Sequence, residues 1–138
     1  MFKFRNNIVL ALALFIACIF SACNPGSKVK DALFVTLDSK RTGIQFNNKL
    51  TYDPQFNLFK YMYFYNGSGV GAADFNKDGQ VDLFFGSNQH NNQLYLNTGN
   101  ITFKEVTKEA AIPDDGGWTT GISVIDINND GWIFMYAV

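Results

Sequence analysis

The sequence predicts an all-β chain behind a short apolar leader. Three observations carry that prediction. After residue 31, Gly, Asn and Asp recur every few residues between short runs rich in Phe, Tyr, Val and Ile. No stretch beyond the leader holds a helical apolar period for more than about two turns. An eleven-residue segment also recurs once, 52 residues further along.

The leader comes first in the chain. Lys3 and Arg5 precede an unbroken apolar run from Ile8 to Phe20, and the small residues Ser21 and Ala22 lead into Cys23. A basic start, an apolar core of roughly 7–15 residues and a small-residue end describe a secretory signal peptide. The run is short of the roughly 20 apolar residues that a membrane span needs. Residues 1–22 are therefore expected to form a signal-peptide helix, with residues 23–31 as a polar tether. Phe20-Ser21-Ala22-Cys23 resembles a bacterial lipobox, which implies acylation of Cys23 and export to an outer membrane or cell surface. Phe20 stands where that motif usually has leucine. Cys18 would leave with the leader, so the mature segment Cys23–Val138 has no disulfide. Lys3 and Arg5 would leave too, so nine basic residues face 12 acidic ones, a net charge of −3. Such a balance argues against nucleic acid, which is bound through clustered Lys and Arg. It suits a cation better.

Strands are expected at Leu33–Leu37, Lys60–Tyr65, Val70–Ala73, Val81–Phe85, Gln93–Leu96, Thr102–Val106, Thr120–Ile125 and Ile133–Ala137. The loops between them carry turn residues: Asn66-Gly67-Ser68-Gly69, Asn76-Lys77-Asp78-Gly79, Gly86 to Asn92, Asn97-Thr98-Gly99-Asn100 and Asp114-Asp115-Gly116-Gly117. The repeat aligns Gly69–Gly79 with Gly121–Gly131 without a gap. Four short strands per period of about 40–50 residues suggest propeller blades. Residues 66–117 then form one blade and residues 118–138 the start of another. Phe34-Val35-Thr36-Leu37 with Thr42-Gly43-Ile44 weakly echoes Phe103–Val106 with Ala110-Ala111-Ile112. Residues 32–65 are therefore expected to supply N-terminal strands, one of them an outer strand of the kind that closes a propeller.

Asp74-Phe75-Asn76-Lys77-Asp78-Gly79-Gln80-Val81-Asp82 places oxygen side chains at loop positions 1, 3, 5 and 9. Alternate residues of a curled loop point inward, so Asp74, Asn76 and Asp78 can converge on one ion. Calcium takes six to eight oxygens at roughly 2.3–2.6 Å. Gly79 permits the sharp turn, Gln80 would offer its backbone carbonyl, and Asp82 would close the shell. Position 12 is Phe85 rather than the Glu of an EF-hand, and the flanks read as strands. Asp126, Asn128 and Asp130 form a second copy with Phe134 at position 9, so that site is expected to be incomplete and weak. Asn-x-Asp-Gly is also an ordinary hairpin turn. Two copies in repeat register favour the metal reading.

These residues resemble the FG-GAP/VCBS repeats of bacterial surface proteins and integrin α-chain propellers. The resemblance runs from Tyr61 to Trp132. It rests on Gly69, Asp74, Asn76, Asp78, Gly79, Asp82, Leu83-Phe84-Phe85-Gly86, Leu94-Tyr95-Leu96-Asn97 and the copy from Asp126. It implies a partial β-propeller of about one complete four-stranded blade plus the start of a second, with Ca2+ in the first loop. The lipobox, Thr42-Gly43-Ile44, Tyr63-Phe64-Tyr65-Asn66-Gly67 and Gly117-Trp118-Thr119-Thr120-Gly121 further resemble the start of Bacteroidetes lipoproteins that carry an ASPIC/UnbV module downstream. After Trp132 that pattern continues with an aliphatic residue, Asp and an Ile/Leu-Tyr-Val strand, whereas this chain reads Ile133-Phe134-Met135-Tyr136-Ala137-Val138. A shifted reading frame can restore Ile-Tyr-Val, and the expectation is a frameshifted, truncated relative.

No catalytic set assembles. His90 is the only histidine and sits in a loop. Phe56, Phe59, Tyr61, Tyr63 and Tyr65, with Trp118 and Trp132, read as sheet or blade packing, with a carbohydrate-stacking platform as the competing use. The sequence thus points to a non-enzymatic module. It is lipid-anchored at a membrane and engages extracellular glycan or protein. The alternatives are a scaffold within a larger exported enzyme and a non-functional fragment.

Overall fold

The computed structural model describes residues 32–113 and 116–138. The expected leader and tether, with Cys23, lie outside the described residues. The chain divides into two units, Met1–Thr36 and Leu37–Val138. Within the first, residues 32–36 form no strand.

The second unit contains one helical turn, α1 (Ser39–Thr42), and six strands: β1 (Val70–Ala73), β2 (Asp82–Phe85), β3 (Gln93–Asn97), β4 (Phe103–Glu105), β5 (Ile122–Ile125) and β6 (Phe134–Ala137). Six of the eight expected strands are therefore present, with ends shifted by at most two residues. β1 to β4 form an antiparallel meander in chain order, and β5 pairs with β6 in a separate two-stranded sheet. The fold is all-β, as the periodicity requires, with one propeller-like four-stranded blade and two strands of another. The repeat is exact in register. Val70 faces Phe85 in the first sheet, and Ile122 faces Ala137 in the second.

The remaining two expected strands are absent. Leu33–Leu37 runs into α1, whose start is capped by Asp38 accepting from the Lys40 N–H at 2.7 Å. Gly43, at φ 78°, ends the turn by donating to the Ser39 carbonyl. Lys60–Tyr65 is a succession of turns, because local side chains capture the backbone first. Asp53 Oδ1 accepts from the Gln55 and Phe56 N–H groups, both at 2.7 Å. The buried Asn57 donates to the Asp53 carbonyl and accepts from the Phe59 N–H. The Lys60 and Tyr61 N–H groups then both bond the Asn57 carbonyl. Among the described residues, no strand lies between 32 and 65, so the expected closing strand is not formed there.

The core follows from the cross-strand rows. Gly71 faces Phe84, and Phe84 faces Leu94. Phe84, Leu94 and Val106 are buried together, with Phe75, Leu96, Ile112, Ile122 and Met135 packed against them. Ile122 and Met135 come from the second sheet, so the two sheets share one apolar core. A further aromatic cluster joins Phe56, Tyr61, Phe64 and Trp118, with Phe56 and Trp118 rings 4.8 Å apart. Phe56, Tyr61 and Phe64 come from the segment of turns before β1, and Trp118 from the stretch before β5.

Two glycines make the close approach between sheets possible. A Cβ on Gly71 would stand 2.7 Å from a Val124 methyl, and one on Gly69 would meet the Ile122 backbone nitrogen. Backbone cannot yield as a side chain can, so Gly69→Ala is expected to cost about 1–3 kcal/mol. That corresponds to a melting point lower by roughly 4–8 °C per kcal/mol for a domain of this size. Thermal unfolding followed by circular dichroism checks this. An unchanged melting point would show that the sheets do not meet at Gly69.

Candidate metal centre

The β1–β2 connection is the loop that the sequence nominates. It curls because its own side chains bond its own backbone. Asp74 Oδ1 accepts from the Asp78 N–H at 3.1 Å and Asp74 Oδ2 from the Gly79 N–H at 2.8 Å. Asn76 Oδ1 accepts from the same Asp78 N–H at 3.1 Å. Asn76 Nδ2 donates to Asp78 Oδ2 at 2.9 Å, and Asp78 Oδ1 accepts from the Gln80 N–H at 2.8 Å. Lys77 at φ 62° and Gly79 at φ 85° supply the left-handed conformations that the curl needs. Asp74, Asn76 and Asp78 are therefore gathered on one loop, as the 1-3-5 spacing requires.

Asp82 is placed differently. It is fully buried at the start of β2. Its Oδ2 accepts from the Phe75 N–H at 3.0 Å and its Oδ1 from the Asn97 N–H at 2.8 Å. One carboxylate thus ties the first turn of the loop to the end of β3. The spacing nominated Asp82 as a ligand, and this second task could not be read from it.

The β5–β6 loop repeats the arrangement bond for bond. Asp126 accepts from the Asp130 and Gly131 N–H groups at 3.2 and 2.8 Å. Asn128 accepts from the Asp130 N–H and donates to Asp130 Oδ2 at 2.8 Å. Asp130 Oδ1 accepts from the Trp132 N–H at 2.8 Å. Asn129 and Gly131 take the left-handed conformations of Lys77 and Gly79. At the position of Asp82 stands Phe134, which is exposed and has no carboxylate to offer.

The two loops touch through Lys77 and Trp132, neither of which belongs to the acid-amide-acid set. Lys77 Nζ lies 3.6 Å above the Trp132 ring centroid, a cation–π contact. The Trp132 N–H, then the Asn128 amide and, more weakly, the Lys77 charge hold the Asp130 carboxyl below the usual carboxylate range. A depressed folded value favours the fold above the ordinary Asp range. That contribution is lost as pH falls through the depressed value. No signal at one-residue spacing marks a contact between side chains 55 positions apart.

The donor set of the first loop fits a hard cation. It offers oxygens from two carboxylates and one carboxamide, and each Asp82 oxygen keeps acceptor capacity beyond its one backbone bond. Among the described residues, no three Asp, Glu, His or Cys side chains are grouped closely enough to hold a metal by themselves. Asn76 and backbone oxygen would have to complete the set.

The match to known families falls on these loops. Residues 74–133 match the FG-GAP-like repeat family. The matched stretch opens on Asp74, contains β2, β3, β4 and β5, and passes through the second loop. It thus spans one 52-residue period of the internal repeat and the start of the next. No curated protein and no solved structure matches the chain.

Proposed function

We propose that the chain is a calcium-binding FG-GAP/VCBS repeat segment of an exported, lipid-anchored surface protein, and that it works by binding glycan or protein rather than by catalysis. The observation that carries the metal reading is the duplication of the loop. Five hydrogen bonds and two left-handed residues recur 52 positions apart, on strands of equal register. A plain hairpin turn does not demand the same acid-amide-acid set twice.

In this reading Asp74, Asn76 and Asp78 hold Ca2+, with the Gln80 carbonyl and Asp82 completing the set. The ion would neutralise the loop's acids and fasten it across the end of the blade. Asp126, Asn128 and Asp130 lack the position-9 acid and hold calcium weakly at best. Export, Cys23 acylation and the membrane location rest on the leader, and kinship with ASPIC/UnbV lipoproteins rests on the motifs quoted above.

Ligand that binds only the folded state raises stability by about 2.7 kcal/mol at a concentration 100 times its Kd. The full mature chain should therefore melt several degrees higher in millimolar calcium than in chelator, and magnesium should do less. Identical melting in calcium and chelator would remove the metal from this reading.

A further inference from the structure

An open cavity of about 550 Å³ lies on the surface between residues 51–56, the loop after β2 and the segment at Trp118. Its volume lies within the range of small-molecule sites, roughly 300–1,000 Å³. We propose that this cavity is a saccharide-binding site, in which a neutral sugar packs on Trp118 and Phe56 and is hydrogen-bonded by Asp53, His90 and Thr51. The proposal rests on the extracellular binding reading above, but not on calcium, because the cavity shares no residue with either acidic loop.

Three observations support it. First, the walls are fastened before any ligand arrives. The Gln89 amide pairs with both backbone groups of Thr51, at 2.5 and 3.0 Å. The buried Asn88 amide donates to the Gly67 and Thr119 carbonyls and accepts from Asn48 at 2.6 Å. Two segments about 40 residues apart and a third beside Trp118 are thereby held together. Preorganised walls reduce the ordering cost of binding.

Second, the groups left over are those that a polyol needs. Asp53 spends Oδ1 on the Gln55 and Phe56 N–H groups, and Oδ2 takes no hydrogen bond among the described residues. The His90 imidazole and the Thr51 hydroxyl likewise make none there, although both residues line the cavity. A carboxylate oxygen, an imidazole and a hydroxyl offer acceptors and donors together, which suits neighbouring sugar hydroxyls.

Third, the aromatic wall is rigid. Phe56 and Trp118 are clamped with Tyr61 and Phe64, at ring separations of 4.8 to 5.6 Å. The buried Trp118 indole N–H has no acceptor among the described residues. Apolar ring surface beside hydrogen-bonding side chains suits a pyranose, whose faces carry C–H groups and whose rim carries hydroxyls. A quaternary ammonium would need aromatic faces on several sides. Here the polar lining residues outnumber the rings.

The test uses the full mature chain and saturation-transfer NMR. The probes are neutral gluco-, xylo- and manno-oligosaccharides of four to six units, with a trimethylammonium salt as comparison. At least one oligosaccharide should bind saturably. His90→Ala and Trp118→Ala should each weaken it by about ten-fold, the worth of one good polar contact or one aromatic anchor. His90 is exposed and its side chain supports no other residue, so its variant separates lost binding from lost folding. The proposal is overturned if no oligosaccharide receives saturation, if the ammonium salt alone binds, or if both variants bind as the wild type does. Sugar binding that persists in chelator, with no calcium bound in its absence, would sink the metal reading and leave this one standing.

Discussion

Asp82→Ala is expected to lower the stability of the segment 23–138 by about 3 kcal/mol, even with calcium absent. The residue is fully buried, and its two oxygens hold the Phe75 and Asn97 N–H groups. Hydrogen bonds to a charged acceptor contribute about 1.5–3 kcal/mol each, and each N–H left without a partner carries a desolvation cost. Both bonds are only partly shielded from solvent, which keeps the sum near the lower end of that range. Asp82→Asn should recover little, because its amide nitrogen would face an N–H donor. Asp78→Asn, in the exposed part of the loop, should change stability in chelator by well under 1 kcal/mol. Chemical denaturation of the three variants in chelator checks the contrast. Equal loss for Asp78→Asn and Asp82→Ala would show that the Asp82 bridge does not hold the loop to β3.

The second large effect concerns the ion. Asp74→Ala removes a carboxylate from the first loop, and with it the acceptor of two loop N–H groups. Loss of a direct ligand should weaken calcium binding by at least about 100-fold, since outer supporting groups alone are worth 10–100-fold. Asp126→Ala makes the same chemical change in a loop that already lacks the position-9 acid. It should leave the measured affinity almost unchanged. The pair separates a site-specific loss from a general effect of negative charge, because both variants alter net charge equally.

The strands that could be read from the sequence are those set by local pattern. β1, β2, β3 and β4 alternate or run apolar between unmistakable turn residues, and the repeat carries the assignment over to β5 and β6. The acid-amide-acid loops were readable for the same reason, because their geometry is built from residues two to five positions apart. Residues 60–65 misled because their aromatic alternation mimics a strand, while Asp53 and Asn57 upstream bind the backbone into turns. Long-range pairings gave no signal. Asn48 meets Asn88, Lys77 meets Trp132, and Asp82 reaches Asn97. Each of these contacts depends on how the chain folds back, and all three involve residues whose local pattern reads as turn: Asn88, Lys77 and Asn97. Asn88 is one of these: it lies within an apparently solvated loop, yet it is nearly inaccessible and bonds three separate segments.

Isothermal titration of the segment 23–138 with calcium bears most directly on the shared geometry of Asp74, Asn76 and Asp78. The expected isotherm has a single saturable site per chain, lost in Asp74→Ala and retained in Asp126→Ala. A flat isotherm for the wild type, or one that survives Asp74→Ala unchanged, would contradict the account and reduce both loops to turns.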